Sequence, residues 1–108
     1  MLQQSEIKQR LSGIEREIEE VARDCESSET IPQKLKDCVS QWKQHTVKAK
    51  TVFDSQDNKQ IIGCVNDLEQ IGHRAEMALQ EAKGVDARVR NTLLHAQSEL
   101  VDLKKKLH

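Results

Sequence analysis

Residues 7–25 read IKQRLSGIEREIEEVARDC, and small or apolar residues recur in this stretch at intervals of 4, 3, 4, 3 and 4. The recurring residues are small or apolar: Ile7, Leu11, Ile14, Ile18, Val21 and Cys25. Positions three and four apart lie on the same side of an α-helix, so this spacing predicts a helix with one continuous packing face. We place that helix at residues 5–26, with glutamate and arginine on its outer face.

Three later segments follow the same rule and predict helices over residues 32–54, 58–83 and 86–107. The second packing face consists of Leu35, Cys38, Trp42, His45, Ala49 and Val52, with Val39, Thr46 and Phe53 beside it. The third consists of Ile61, Cys64, Leu68, Ile71, Ala75, Ala78 and Ala82, and the fourth of Val89, Leu93, Ala96, Leu100, Leu103 and Leu107. No segment has the alternating pattern of a strand.

Turn-forming residues separate the predicted helices. Pro32 suits the first turn of the second helix, where its missing N–H is not needed. The sequence DSQDN at residues 54–58 is a dense cluster of turn formers. Gly84 is predicted as the left-handed C′ residue after the third helix, and Asp86 as the N-cap of the fourth.

These features predict an all-α chain with a single domain over residues 1–108, folded as an antiparallel up-down-up-down four-helix bundle. Short connections favour antiparallel neighbours. The alternatives are a three-helix bundle, formed if two segments fuse across residues 54–58, and a dimer of helical hairpins. The first helix is acidic and the second basic. Glu17 and Asp24 flank the packing face of the first helix, and Lys34 and Lys48 flank that of the second. These opposite charges favour packing the two helices side by side, although the apolar faces drive the arrangement.

Composition excludes several classes of function. The formal net charge is −1, aromatic residues make up 2% of the chain, and no apolar run approaches the roughly 20 residues that span a bilayer. The N-terminal residues lack the apolar segment of a signal peptide. The odd number of cysteines, three, favours reduced thiols and a cytoplasmic location, although Cys25 and Cys38 could be neighbours across the first hairpin.

The densest set of reactive side chains lies in residues 63–76, GCVNDLEQIGHRAE. Cys64 and His73 are nine residues apart, which places them on opposite sides of one helix, so they cannot form a thiolate–imidazole pair within it. His95 and Glu99 are four apart, but a buried di-iron or di-manganese site requires carboxylates on all four packing faces. The sequence therefore predicts no catalytic residue, no metal site and no cofactor, and we expect the protein not to be an enzyme.

His45 is the candidate buried polar residue, because it falls among apolar positions of the second packing face. Buried there, it would be a pH-sensitive residue or a polar group that fixes register. The alternative is a boundary histidine with one ring edge in water.

The predicted function is protein–protein interaction, as a small adaptor, a chaperone-like protein or a scaffold, through a partner protein or self-association, including a homodimer. The candidate partner surface consists of Ile62, Gly63, Met77, Val39 and Phe53. Gly72, by contrast, is expected to let another backbone approach closely. The alternative function is nucleic-acid association through Lys36, Lys43 and Lys50, which are spaced seven apart; the weak net charge makes it the less favoured one.

Overall fold

The computed structural model of the chain describes residues 4–54 and 57–107. These residues form the four helices α1 (Gln4–Ser27), α2 (Gln33–Asp54), α3 (Asn58–Glu81) and α4 (Ala87–Leu107), and they contain no strand. Each helix packs on the next, and α4 packs back on α1. The bundle measures 40 × 22 × 17 Å. In the described ranges, no helix is long and apolar enough to cross a membrane.

Cross-helix contacts define the direction of each helix. Lys8 near the start of α1 pairs with Asp54 at the end of α2, and Arg10 pairs with Asp102 near the end of α4. Lys34 at the start of α2 pairs with Glu81 at the end of α3. Neighbouring helices are therefore antiparallel, which confirms the up-down-up-down bundle. The fused three-helix alternative is wrong because α2 and α3 are separate helices, and the hairpin-dimer alternative is not needed because all four helices share one core.

The helix ends follow from local hydrogen bonds. The Oδ1 atom of Asp57 accepts from the backbone N–H of Lys59 at 3.0 Å and caps α3. Asp86 caps α4 as predicted, accepting from the N–H of Arg88 at 2.9 Å. Gly84 has the predicted positive φ, 78°, but the C-cap of α3 is Ala82. Gly84 therefore lies one position further from the helix than predicted.

The predicted packing faces of α1, α3 and α4 are buried at almost every position; Cys64 and Leu107 are half-buried. In α2 the packing face is rotated by one residue. Val39 and Thr46 are buried, whereas Cys38 and His45 are half-buried. Both stripes have 3,4 spacing and share Leu35, Trp42 and Ala49, so spacing alone cannot separate them.

Hydrogen bonding explains why the threonine is the buried member of the pair. The hydroxyl of Thr46 donates to the carbonyl of Lys43 at 2.6 Å, within its own helix, so burial leaves no unpaired donor. The Nδ1 atom of His45 contacts the carbonyl of Gln41 at 3.0 Å, and the ring lies at the edge of the core. The candidate buried polar position is therefore corrected: His45 is a boundary residue, and Thr46 lies in the core.

Three helices meet at Gly72 of α3. The indole Nε1 of Trp42 donates to the carbonyl of Leu68 at 3.0 Å, and the amide Nε2 of Gln97 donates to the carbonyl of Glu69 at 3.0 Å. A Cβ at position 72 would overlap the amide oxygen of Gln97 and lie 2.8 Å from the Cζ2 atom of Trp42. Glycine is required here because two side chains from neighbouring helices occupy the space beside its backbone.

The predicted packing of α1 beside α2 is confirmed, because the two helices are in contact. Flanking charges that favoured this arrangement nevertheless pair with other helices. Glu17 and Asp24 face α4, where they pair with His95 and Arg88, and Lys34 pairs with Glu81 of α3. Exposed ion pairs contribute little to stability, and an exposed charged side chain can pair with any of several neighbours. The apolar packing faces, and not the charges, therefore determine which helices are neighbours.

Candidate interaction site

An apolar groove opens between the first half of α1 and the second half of α2. Its volume is about 280 Å³. The groove floor is apolar and consists of Leu11, Ile14, Ala49, Phe53 and Leu68. Lys8, Ser12, Glu15, Thr46, Lys50 and Asp54 complete the lining. We call this feature the α1–α2 groove.

Side-chain size accounts for the position of the groove. At the other end of α2, the side chains that enter the core are Leu35 and Val39, and both are fully buried. At the groove end, the corresponding positions are Thr46 and Ala49, which fill less of the space between the helices. Phe53 follows at the end of the helix and is only half-buried. Phe53 is therefore the most accessible apolar side chain of the groove lining, whereas Leu11, Ile14 and Leu68 are 6%, 1% and 1% exposed.

Two ion pairs cross the mouth of the groove. The Nζ atom of Lys8 lies 3.3 Å from Oδ1 of Asp54, and the Nζ atom of Lys50 lies 2.5 Å from Oε1 of Glu15. The hydrogen bond from Lys50 to Glu15 raises the pKa of the ammonium group. Glu15 is only 14% exposed, whereas the other three charged side chains are more than 60% exposed. Each lysine of the rim is thus paired with a carboxylate, and the four charges balance.

The residues of the predicted partner surface do not form one patch. Phe53 lines the α1–α2 groove. Val39 is 1% exposed, so it belongs to the core and cannot contact a partner, which corrects the prediction. Ile62 and Gly63 are half-buried, and a Cβ at position 63 would meet nothing within 4 Å. Met77, at 50% exposure, extends from α3 into solvent.

The remaining groove residues could not be assigned from the sequence. Leu11, Ile14, Ala49 and Leu68 all carry the spacing of core residues, and they do contact the core. A residue at the bottom of a groove has the same sequence pattern as one under a closed interface. The small side chain of Ala49 among larger neighbours was the only available signal.

The lysine stripe of α2 is partly neutralised. Lys50 pairs with Glu15, and Lys36 is half-buried, while Lys43 is exposed. The spacing of seven therefore gives three lysines in different environments and not a uniform row of free charges.

Burial makes the thiols of Cys25 and Cys64 weaker nucleophiles. Burial is the main reason that the pKa of Cys25 is raised to about 11, and burial also raises the pKa of Cys64. All three cysteines are free. His73 is exposed on α3, whereas Cys64 is half-buried, in accord with the predicted separation of these two side chains.

No protein-family model, curated protein or solved structure matches this chain. Inference about function therefore depends on the geometry of the bundle itself.

Proposed function

We propose that this protein is a non-enzymatic interaction module that binds an amphipathic helix of a partner protein in the α1–α2 groove. The observation that carries the proposal is a groove of about 280 Å³ between α1 and α2, which is lined by apolar side chains and includes the half-buried Phe53. Grooves of this kind take the apolar face of a partner helix in a recurring mode of recognition. A small adaptor, chaperone-like protein or scaffold with coiled-coil-type packing would work in this way.

The size of the groove limits the occupant. An apolar cavity of about 150 Å³ accepts benzene, so a volume of about 280 Å³ accommodates one or two large side chains. We therefore expect one main anchor of leucine or phenylalanine type, with its neighbours resting on the rim.

The charges around the groove further restrict the kind of partner helix that would bind. The four charges of the rim balance in two ion pairs, Lys8 with Asp54 and Lys50 with Glu15. The outer face of α2 adds Lys43 and Lys48, both exposed. A partner helix with acidic residues flanking its apolar anchor would complement this surface, and charge complementarity of this kind increases association rate and specificity.

The chemistry of the thiols supports a non-enzymatic role, because thiols with raised pKa values are poor nucleophiles at neutral pH. Three free cysteines also suit a reducing compartment, and we propose the cytoplasm. Nucleic-acid association has less support, since an acidic partner neutralises one lysine of the stripe and another is half-buried.

Selection of displayed peptides tests the proposal. A library of helical peptides would be selected on the wild-type protein, and each selected peptide would then be measured against two variants. Ala49→Phe fills the groove floor, and the matched control Val47→Phe changes a side chain on the same helix that is 57% exposed. We expect acidic amphipathic peptides whose affinity falls at least about tenfold on Ala49→Phe and is unchanged on Val47→Phe, because one lost apolar anchor costs more than about 1.4 kcal/mol.

Ser12→Trp provides a second test if Ala49→Phe perturbs folding. Ser12 lies at the groove and is exposed, so a large side chain there covers the mouth without entering the core. Peptides that bind both groove variants as tightly as the wild type would refute docking in the groove. Sedimentation of the free protein would show whether a second copy is the occupant.

A further inference from the structure

A histidine and two glutamates meet on the α1–α4 face, away from the α1–α2 groove. The Nδ1 atom of His95 in α4 lies 2.6 Å from Oε2 of Glu17 in α1. Its Nε2 atom lies 3.6 Å from Oε1 of Glu99, one turn further along α4. One imidazole ring is thus held between two carboxylates, and each residue offers a ligand atom within 4.8 Å of the others.

The contact with Glu17 selects the tautomer of the ring. A carboxylate accepts hydrogen bonds only, so Nδ1 must carry the proton that it donates to Glu17. In neutral His95 the lone pair is then on Nε2, facing Glu99. Histidines that bind metals usually donate their other ring N–H to a carboxylate, which fixes the ring and increases its basicity. Glu17 has the correct position for that role.

The distance between Nε2 and Glu99 suits a shared ion. Two ligands of a tetrahedral zinc ion, with bonds of about 2.0–2.1 Å, lie about 3.3–3.4 Å apart. The observed distance of 3.6 Å differs from this value by a few tenths of an ångström, which a small rotation of the Glu99 side chain supplies. His95 is 61% exposed and Glu99 34%, so solvent water has access to the remaining coordination positions.

We propose that Glu17, His95 and Glu99 form a binding site for a divalent transition-metal ion of the zinc class. Nε2 of His95 and the carboxylate of Glu99 are the protein ligands, water completes the coordination, and Glu17 positions the imidazole. One imidazole and one carboxylate favour zinc, cobalt, nickel or copper over magnesium or calcium. Since Glu17 belongs to α1 and both ligands belong to α4, a bound ion strengthens the contact between the two helices.

The charged groups around the site have partners of their own. Arg88 of α4 pairs with Glu20 and Asp24 of α1, and Arg10 of α1 pairs with Asp102 of α4. Protons compete with the metal for Nε2, and the hydrogen bond to Glu17 raises the pKa of His95. Metal affinity should therefore increase with pH across the titration of this histidine.

The test is a titration with zinc sulfate at pH 7.5. Binding is monitored by calorimetry and by the ¹⁵N resonances of the imidazole rings. Cys38 and Cys64 would be replaced by serine in every sample, because half-buried thiols could bind zinc themselves. We expect one site, a shift of the His95 Nε2 resonance, and weaker binding at pH 6.

Variants distinguish the three roles, with circular dichroism as the check on folding. His95→Gln should abolish the site, and Glu99→Gln should weaken it at least tenfold. Glu17→Gln should weaken it by about ten- to a hundredfold, the usual effect of losing a carboxylate that orients a metal-binding histidine. His73→Gln is the matched control, an exposed histidine on α3 that should leave affinity unchanged. Equal zinc affinity for wild type and His95→Gln, or an unshifted His95 resonance, would overturn the proposal.

Discussion

Gly72 determines how closely α2 and α4 approach α3. Its backbone lies against the side chains of Trp42 and Gln97, and both of these donate hydrogen bonds to carbonyls of α3. The sequence predicted that another backbone would approach this glycine, but the atoms that approach it belong to side chains. Which side chains these are depends on the rotation of three helices at once. Gln97 is 3% exposed and its Oε1 atom has no hydrogen-bond partner within the described residues. We infer that this polar residue contributes more to the register of the helices than to their stability.

Gly72→Ala should destabilise the protein by about 1–3 kcal/mol, although alanine is the better helix former. The added Cβ must displace a buried amide and the edge of an indole ring, and such overpacking costs more than the gain in helix propensity. Denaturation in urea, monitored by circular dichroism, measures the change.

Gly63→Ala is the control in the same helix. A Cβ there meets nothing within 4 Å, so this variant should be stabilised by about 0.5–1 kcal/mol. If the two alanine variants had the same stability, the close contact at Gly72 would be refuted.

At the scale of the helix, sequence spacing predicted all four elements and the packing faces of α1, α3 and α4, but not the rotation of α2. The stripe through Cys38 and His45 and the stripe through Val39 and Thr46 have equal spacing and share Trp42, so the choice depends on how α2 packs against its neighbours. Spacing of three and four within a helix cannot contain that information. For the same reason, spacing within a helix could not predict the contact between His95 and Glu17, which are 78 residues apart in the sequence.

The pairing of α1 with α4 should depend on pH. The hydrogen bond to Glu17 raises the pKa of His95 above its ordinary value of 6.5, so the folded state binds this proton more tightly than the unfolded state does. The resulting stabilisation is fully present below pH 6.5 and is lost as pH rises through the raised pKa. Wild type should therefore lose stability relative to His95→Gln between pH 6 and pH 9 in metal-free buffer, as measured by urea denaturation.

Glu17→Gln provides the matched control for that pH dependence. It removes the principal cause of the shift while leaving the histidine in place. Its stability relative to His95→Gln should change much less over the same pH range. If the stability of the wild type and of His95→Gln changed in parallel with pH, Glu17 would not stabilise the protonated form of His95.

A larger side chain at Ala49, in the groove between α1 and α2, should be tolerated, whereas one in the closed part of the core should not. Ala49→Met adds apolar volume in the open groove and should leave stability unchanged or raise it by about 1 kcal/mol. Ala75→Met is the control, since Ala75 is fully buried in α3, and overpacking there should cost about 1–3 kcal/mol. Equal losses in both variants, measured by urea denaturation, would mean that the groove is closed in solution.

At the scale of the whole molecule, short connections and four apolar stripes were sufficient to predict the antiparallel bundle. The groove could not be predicted from the sequence. It results from a difference in side-chain volume between the two ends of α2, and it depends on how that helix packs against α1 and α3. No motif marks such a difference. Of the candidate partner surface, Phe53 lines the groove and its role in binding stays a prediction, whereas Val39 is buried and cannot belong to a surface.

The thiol of Cys25 should report unfolding of the entire bundle. It is 1% exposed and burial raises its pKa to about 11, so it should react with a disulfide reagent only when the core opens. Cys38 and Cys64 are half-buried and should react sooner. In a Cys38→Ser/Cys64→Ser background, the labelling rate at pH 8 should fall as stability rises among the variants described above. Rapid labelling of Cys25, independent of stability, would contradict the closed core.

The most direct test of the central claim, an open apolar groove between α1 and α2, is a methyl NMR titration of the free protein with benzene. Benzene is small enough for a space of about 280 Å³, and the methyl groups of Leu11, Ile14, Ala49 and Leu68 line that space. We predict saturable shifts of these methyl resonances, with those of Leu35 and Leu100 in the closed core unmoved. Ala49→Phe should abolish the shifts. Unmoved groove resonances, or shifts confined to the exposed Met77 and Leu94, would contradict the account.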